Sequence, residues 1–209
     1  MPKKRHKIVL ATRNRGKVAE ISRLLAGFGV EVLSSADFPK LGEIPETGQT
    51  FEENARQKAR AVAQATGLTA MADDSGLVVD ALDGAPGVHS ARYGGENASD
   101  EDNWQKLLTE LAGVPLERRT AKFVCVIVVS TPDGREISAR GEWPGLIALE
   151  PQGHSGFGYD PVFFDEQLIL HAAQMTPEIK NSRSHRGLAL AKLRSLWPDF
   201  LASLGETVK

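Results

Sequence analysis

The residues best suited to do chemistry are two adjacent carboxylates, Asp73 and Asp74, in the stretch Ala72-Asp73-Asp74-Ser75-Gly76. Apolar residues approach the pair (Leu68 to Ala72) and leave it (Leu77-Val78-Val79), a pattern that reads as a strand, a sharp turn and a second strand. Two charges on an interior strand are costly to bury, whereas a turn at the rim of a sheet gives them a use. Hard cations such as Mg²⁺ take oxygen ligands, often one or two carboxylates together with substrate phosphates. Asp-Ser-Gly is also ordinary turn chemistry, in which Asp bonds its own backbone and Gly supplies a positive φ. The pentapeptide alone leaves both readings open.

A second candidate site follows the first strand. Ile8 to Ala11 reads as that strand, and Gly16 opens a helix with Val18, Ile21, Leu25 and Phe28 at helical spacing, ended by Gly27 and Gly29. Between them runs Thr12-Arg13-Asn14-Arg15-Gly16-Lys17. A strand, a short polar loop and a helix N-terminus make an anion site, because free N–H groups and the helix dipole point outward. Arg13, Arg15 and Lys17 add positive charge. The loop is not a Walker loop, since Ala11 stands where the first glycine belongs and Val18 where Ser or Thr belongs, and no GxGxxG dinucleotide fingerprint occurs.

Two further stretches carry aromatic and cationic groups. In Gly153-His154-Ser155-Gly156-Phe157-Gly158-Tyr159-Asp160-Pro161, glycines surround two aromatics that read as exposed. Stacking on such rings holds bases at roughly 1–3 kcal/mol per base, and the alternative is a tight hairpin with core aromatics. Lys180, Arg183, His185 and Arg186 cluster beyond it. They suit a multiply charged anion bridged from both sides, or a solvated basic face.

The elements that must position these groups alternate at first and pair later. Val30 to Leu33 reads as a second strand and Ser34 to Gly48 as a long polar connection holding Glu43 and Glu46. Thr50-Phe51-Glu52-Glu53 is a capping box for a helix to about Ala65, with a small stripe (Ala55, Ala59, Val62, Ala63) and Gly67 at its end. Ser99 caps a third helix with Trp104, Leu107, Leu108 and Leu111 facing inward. Phe123 to Val129 is the strongest strand, turned by Thr131-Pro132-Asp133-Gly134 into Arg135 to Glu142, and Trp143-Pro144-Gly145 with Leu146 to Leu149 continue the sheet. Thr176-Pro177-Glu178 starts a short helix, and a last helix carries Leu188, Ala191 and Leu196. The expectation is an α/β fold, an elongated mixed β-sheet flanked by helices.

The whole chain bounds the choice. Its 209 residues suit a single domain, 1–209, and a net charge of −2 offers no overall basic field for duplex nucleic acid. Cys125 is the only cysteine and sits within an apolar run, so it reads as a buried, inert thiol without a disulfide. No apolar run is long enough for a membrane span, and the basic start is too poor in apolar residues for a signal peptide, which reads as a cytoplasmic protein.

In this order, over residues 8–197, the pieces resemble the inosine triphosphate pyrophosphatase family. The matching motifs are Thr12 to Lys17, Glu46-Thr47-Gly48 with Thr50 to Ala55, Ala72 to Gly76, Gly84-Ala85-Pro86-Gly87 with Ser90 to Tyr93, Phe157 to Pro161, and Ser184-His185-Arg186-Gly187. The resemblance implies two lobes with a central cleft, a homodimer, and hydrolysis of deaminated purine nucleoside triphosphates to monophosphate and pyrophosphate with Mg²⁺. It implies that Asp74 is the proton acceptor and a metal ligand, with Ser75 beside the substrate. Thr12, Arg13, Asn14, Arg15, Gly16 and Lys17 would hold the triphosphate. Phe157 would stack on the base, and Gly158, Tyr159, Asp160, Lys180, His185 and Arg186 would complete the nucleoside pocket.

This chain departs from the family pattern at two positions. Arg13 stands where some members have Gly, and Pro45 where some have a glutamate metal ligand, which leaves Glu46 and Glu43 as neighbours that could serve instead. Independently of the family, Asp73 beside Asp74 would raise a carboxyl pKa through like-charge repulsion, as suits a general base. The rival readings are a Maf-like nucleotide pyrophosphatase acting on other bases, and a non-catalytic nucleotide or single-strand RNA binder. The Asp pair would repel a phosphate unless a metal intervened, which argues for catalysis.

Overall fold

The computed structural model of the chain describes residues 6–12, 15–42 and 44–205. The first strand forms as β1 (His6–Leu10), its last three residues buried. It is flanked in parallel by β2 (Val30–Ser34) and β3 (Thr69–Val79), with Ile8 opposite Val32 on one side and Thr69 on the other. Parallel neighbours need crossover connections, and the helices α1 (Arg15–Leu24) and α2 (Phe51–Thr66) supply them. The sheet has seven strands in the order β2-β1-β3-β4-β5-β6-β7. In it β4 (Thr120–Ser130) and β5 (Glu136–Ile147) follow the expected turn, where Thr131 N donates to Arg135 O at 2.9 Å. The short strands β6 (Phe163–Asp165) and β7 (Leu170–His171) add in antiparallel fashion, so the sheet is mixed, as expected.

The helix starts follow their caps. Thr50 and Glu53 make the reciprocal capping box of α2, and Gly67 closes it in the left-handed region at φ 67°. Ser99 and Asp102 do the same for α3 (Asp100–Glu110), where Leu107 and, at the C-cap, Leu111 are completely buried. Thr176 caps the short α4 (Pro177–Arg183). The last helix forms as α5 (His185–Ser203), with Leu188 and Leu196 exposed while Ala189, Leu190, Leu193, Trp197 and Phe200 are buried. The run Leu188-Ala189-Leu190-Ala191 is apolar all round, so periodicity does not choose a face; the two largest side chains do.

The largest departure concerns the Asp pair. Residues 69–79 form one continuous strand, and Asp73 and Asp74 lie in its middle, buried, with no turn between them. By contrast, β5 runs unbroken through Trp143-Pro144-Gly145, as expected of a stretch that continues the sheet.

The chain gathers into two compact units. One comprises the described residues up to Asp74, Val126–Arg140 and those from Ala189 on; the other comprises Ser75–Cys125 and Gly141–Leu188. In the first, Val9, Val62, Ala63 and Ala70 form an apolar core. In the second, Leu77, Leu107, Phe123, Trp143 and Phe163 do so, with Phe123 and Phe163 rings 4.5 Å apart. Cys125 is buried in β4 and, as the single cysteine of the chain, is in no intrachain disulfide. The buried Arg119 guanidinium donates to Leu111 O, Val114 O and Ala148 O at 2.8, 2.9 and 3.2 Å, closing the end of α3 with carbonyl acceptors.

A carboxylate holds β6 to α4. Asp165 accepts from Trp143 Nε1 at 2.8 Å, from the amides of Gln167 and Leu168, and from the Arg183 guanidinium at 3.0 Å. Burial alone would raise this carboxyl, but the bonds from Trp143, Leu168 and Arg183 outweigh it and hold it below the usual value. A group depressed in the fold stabilises above its unfolded pKa, and that contribution is lost as pH falls through the folded one. We expect the unfolding free energy to decline as pH drops below about 4, the ordinary carboxyl value. Asp165→Asn should be less stable at pH 7 and should lack this part of the decline. Urea denaturation at pH 7 and pH 3 measures both; an undiminished decline in the variant would assign the acid sensitivity to other groups.

Candidate active site

On a strand, successive side chains point to opposite faces, so neighbouring carboxylates need separate partners. Asp73 Oδ2 lies 3.1 Å from Lys17 Nζ of α1. Asp74 faces α2, where Oδ1 is 2.9 Å from Lys58 Nζ and Oδ2 accepts from Asn54 Nδ2 at 3.3 Å. Asn54 and Lys58 are one helical turn apart and share the buried face of α2 with Ala55, Ala59 and Val62. The amide of Asn54 is oriented by Gly48 N, which donates to its Oδ1 at 2.8 Å and leaves Nδ2 for Asp74. That bond also draws the Glu46-Thr47-Gly48 segment toward α2, and Glu46 Oε1 reaches Lys58 Nζ at 2.9 Å. One ammonium thus bridges two carboxylates.

The electrostatics follow from this bridge. Burial pushes the Asp74 carboxyl up, and Lys58 pulls it back only in part, with Glu46 adding to the upward push. The expected upward shift is therefore present, but its like-charge contribution comes from Glu46 and not from Asp73, whose side chain points the other way. Burial would also lower Lys58, yet Asp74 and Glu46 outweigh it and the ammonium is held above its usual value. The group is a buried carboxylate of raised basicity beside a firmly charged lysine. Among the described residues, no three or more His, Cys, Asp or Glu side chains gather as a metal-binding set. Asp74 and Glu46 nevertheless already share a cation, and two carboxylate oxygens are what a hard divalent ion needs when phosphates complete its shell. Pro45, exposed and without a side-chain oxygen, offers nothing, and Glu43 lies outside the described residues.

Of the anion loop, Thr12 is tied through its carbonyl to Ser35 Oγ at 2.9 Å. Arg15 and Gly16 open α1, and Lys17 is the partner of Asp73. Arg13 and Asn14 lie outside the described residues.

The aromatic and cationic residues form a second group. The ring of Phe157 is 44% exposed, with Lys180 Nζ 5.1 Å and Arg186 Cζ 5.8 Å from its centre. Asp160 is buried and accepts from Phe157 N at 2.8 Å and from Lys180 Nζ. Gly156 must lack a side chain, because a Cβ there would come within 2.0 Å of the Asp160 carboxylate. Arg186 Nη2 donates to Oγ of Ser75, the residue after Asp74, at 3.2 Å. Tyr159 differs from the expectation of two exposed aromatics: it is buried, its hydroxyl donates to Ser90 O at 2.8 Å, and burial pushes its pKa up. The expected cluster of four cations also divides. Arg183 is committed to Asp165, and the buried His185 ring stacks on Phe123 at 4.8 Å. Lys180 and Arg186 remain beside Phe157.

Residues 8–196 match the Ham1 family. The chain belongs to the Ham1 family. Among its relatives is a protein from Nitratidesulfovibrio vulgaris, named dITP/XTP pyrophosphatase, 58% identical over 92% of this chain and 96% of its own. Another of the same name from Geobacter sulfurreducens is 54% identical over 90% of this chain and 94% of its own. The solved Ham1 structure from Coxiella burnetii superimposes with a TM-score of 0.86 at 43% identity, covering 93% of this chain and 99% of that one. The resemblance read from the motifs and the expected mixed α/β sheet both stand.

Asn54 and Lys58 were not singled out by the sequence reading of this Ham1 chain. Their signal was present, since two polar residues interrupt an otherwise apolar stripe at helical spacing. Lys58→Met should leave Asp74 and Glu46 unneutralised and cost about 3 kcal/mol of stability. In a Lys58→Met/Asp74→Asn double variant the buried charge is gone, and the combined loss should be smaller than the sum of the single ones. Urea unfolding of the four proteins measures the coupling, and simple additivity would mean that the bridge does not stabilise the fold.

Proposed function

We propose that this chain hydrolyses non-standard purine nucleoside triphosphates (ITP, dITP and XTP) to the monophosphate and pyrophosphate. The observation that carries the reading is the buried Asp74, raised in basicity and held by Lys58, in a Ham1 chain whose relatives are named for this reaction. Asp74 accepts the proton of the attacking water, the water oxygen joins phosphorus, and the bridge between the α and β phosphates breaks, releasing pyrophosphate. Lys58 keeps Asp74 in place and its positive charge lies where phosphate negative charge must be offset. Asp74 and Glu46 are the residues that would hold a divalent cation. Such an ion, Mg²⁺ in this reading, supplies further neutralisation of the phosphates and orients them for attack. Thr12, Arg13, Asn14, Arg15, Gly16 and Lys17 bind the triphosphate and Ser75 contacts it. Phe157 stacks on the base, while Gly158, Tyr159, Asp160, Lys180, His185 and Arg186 shape the nucleoside pocket. For Tyr159 the buried hydroxyl assigns that role to its backbone, and for His185 stacking on Phe123 leaves a polar edge as the contributing part. The reading takes the chain as one domain acting as a cytoplasmic homodimer, which light scattering would report as twice the monomer mass.

Asp74→Asn should fold normally and lose about 10²–10⁴ in kcat, the usual worth of a general base. Pyrophosphate release from ITP with Mg²⁺, measured beside a thermal melt, tests this; turnover within a few-fold of wild type would remove Asp74 as the base.

Base choice gives a second test. Hypoxanthine and xanthine carry an acceptor oxygen at C6, where adenine carries a donor amino group. Lys180 and Arg186 flank the Phe157 ring as N–H donors, so adenine would leave them unpaired or opposed. We expect kcat/KM for ITP and XTP to exceed that for ATP by at least about 100-fold, roughly 2.7 kcal/mol. Comparable values for ATP and ITP would sink the assignment of base specificity even if pyrophosphate is released.

A further inference from the structure

The segment that carries Phe157 is held at its tip by hydrogen bonds more than by packing. Residues 153–158 border an open cavity of about 700 Å³, whose other wall includes Asp100, Glu101 and Trp104 of α3. Backbone bonds fix the root of the segment, from Gln152 N to Pro161 O at 2.9 Å and from Ser155 N to Ala173 O at 3.1 Å. At the tip, two consecutive amides donate to two carboxylates: Phe157 N to Asp160 Oδ2 at 2.8 Å, and Gly158 N to Asp100 Oδ2 at 2.7 Å. Asp160 belongs to the same segment and is itself held by Lys180 and by Ala173 N, which donates to its carbonyl at 3.1 Å, so its bond ties the near side of the turn to the root of the loop.

Asp100 is different. It is 58 residues away in the chain and stands at the first position of α3, a helix anchored by the fully buried Leu107 and Leu111. The cap of α3 does not use it, because Ser99 and Asp102 already satisfy each other. Its exposed carboxylate is therefore available to reach across the cavity rim to an amide, and bonds to an ionised acceptor are the stronger kind. Gly158 adopts φ 62°, a left-handed conformation that glycine reaches without strain, and in it the amide following Phe157 meets that acceptor.

We propose that Asp100 is a positioning residue for substrate binding: through the Gly158 amide it fixes the ring of Phe157 beside Lys180 and Arg186. The proposal rests on the reading of Phe157 as the platform for the base. Asp100 touches no reacting group, so its removal acts on affinity and not on the chemical step. Losing the tether lets the ring sample other positions, and each nucleotide must then reorder it on binding. The effect applies to every purine, because all stack on the same ring.

The test compares Asp100→Ala, which removes the acceptor, with Asp100→Asn, which keeps an acceptor oxygen and removes the charge. Two readouts are taken on the full chain: steady-state hydrolysis of ITP with Mg²⁺, and hydrogen exchange of the Phe157 and Gly158 amides by NMR. In Asp100→Ala we expect KM to rise roughly three- to tenfold, as suits one lost hydrogen bond to a charged acceptor, with kcat within about twofold. The Gly158 amide should exchange several-fold faster, and Asp100→Asn should recover most of both effects. A KM within twofold of wild type, or an equal fall in kcat for both variants, overturns the proposal. Failure of the wild type to hydrolyse ITP would instead count against the proposed function. The exchange readout still decides the tether in that case, because unchanged Gly158 exchange in Asp100→Ala overturns it and faster exchange supports it.

Discussion

A carboxylate in the middle of a buried strand is tolerable only if something neutralises it, and here that is the ammonium of Lys58 between Asp74 and Glu46. Much of the first unit can be understood as the means of bringing that lysine there. The capping box at Thr50 sets where α2 begins, which fixes the rotation of the helix and turns Asn54 and Lys58 toward β3. The small residues next to each of them, Ala55 and Ala59, are fully buried and let the helix sit close enough for a lysine to span the gap. Asn54 then holds Gly48, and through it the segment with Glu46. Loss of the Lys58–Asp74 contact would leave a buried carboxylate without its cation.

The second unit uses the same pairing of acid and base for different ends. Asp165 and Arg183 are a structural clasp, joined by the indole of Trp143, with the carboxylate buried and the guanidinium partly open to solvent. Asp160 and Lys180 form a similar pair, but beside a ring that stays open to solvent. An acid–base pair at a surface ring leaves the cation oriented and still able to donate to something placed over that ring. A sequence cannot tell these two uses apart, because both appear as a basic residue in α4 and an acidic one after β5.

Local signals were legible where the physics is local. The caps at Thr50, Ser99 and Thr176 and the turn at Thr131 to Gly134 follow from residues within a few positions of one another. The Asp pair was found, but its setting was misjudged, because the cost of burying a charge was weighed without knowing that a lysine 16 residues earlier would meet it. Tyr159 was misread for a related reason: its partner, Ser90 O, is 69 residues distant. The face of α5 could not be chosen from periodicity in a helix apolar on most sides. What was missed, in each case, was the partner brought in by tertiary structure.

The lone thiol of Cys125 has a practical consequence. It sits at 0% exposure in the central stretch of β4, in a chain with no other cysteine to compete for a reagent. An alkylating probe in solution can reach that sulfur only after the strand has parted from its neighbours. The labelling rate is then a clock for rare openings of the sheet under native conditions, read from a single atom and needing no engineered reporter. Because every modified molecule gains the same mass at the same position, the clock could be followed in mixtures and at temperatures far below the melt. It would show how often this sheet comes apart while the protein is, by every bulk measure, folded.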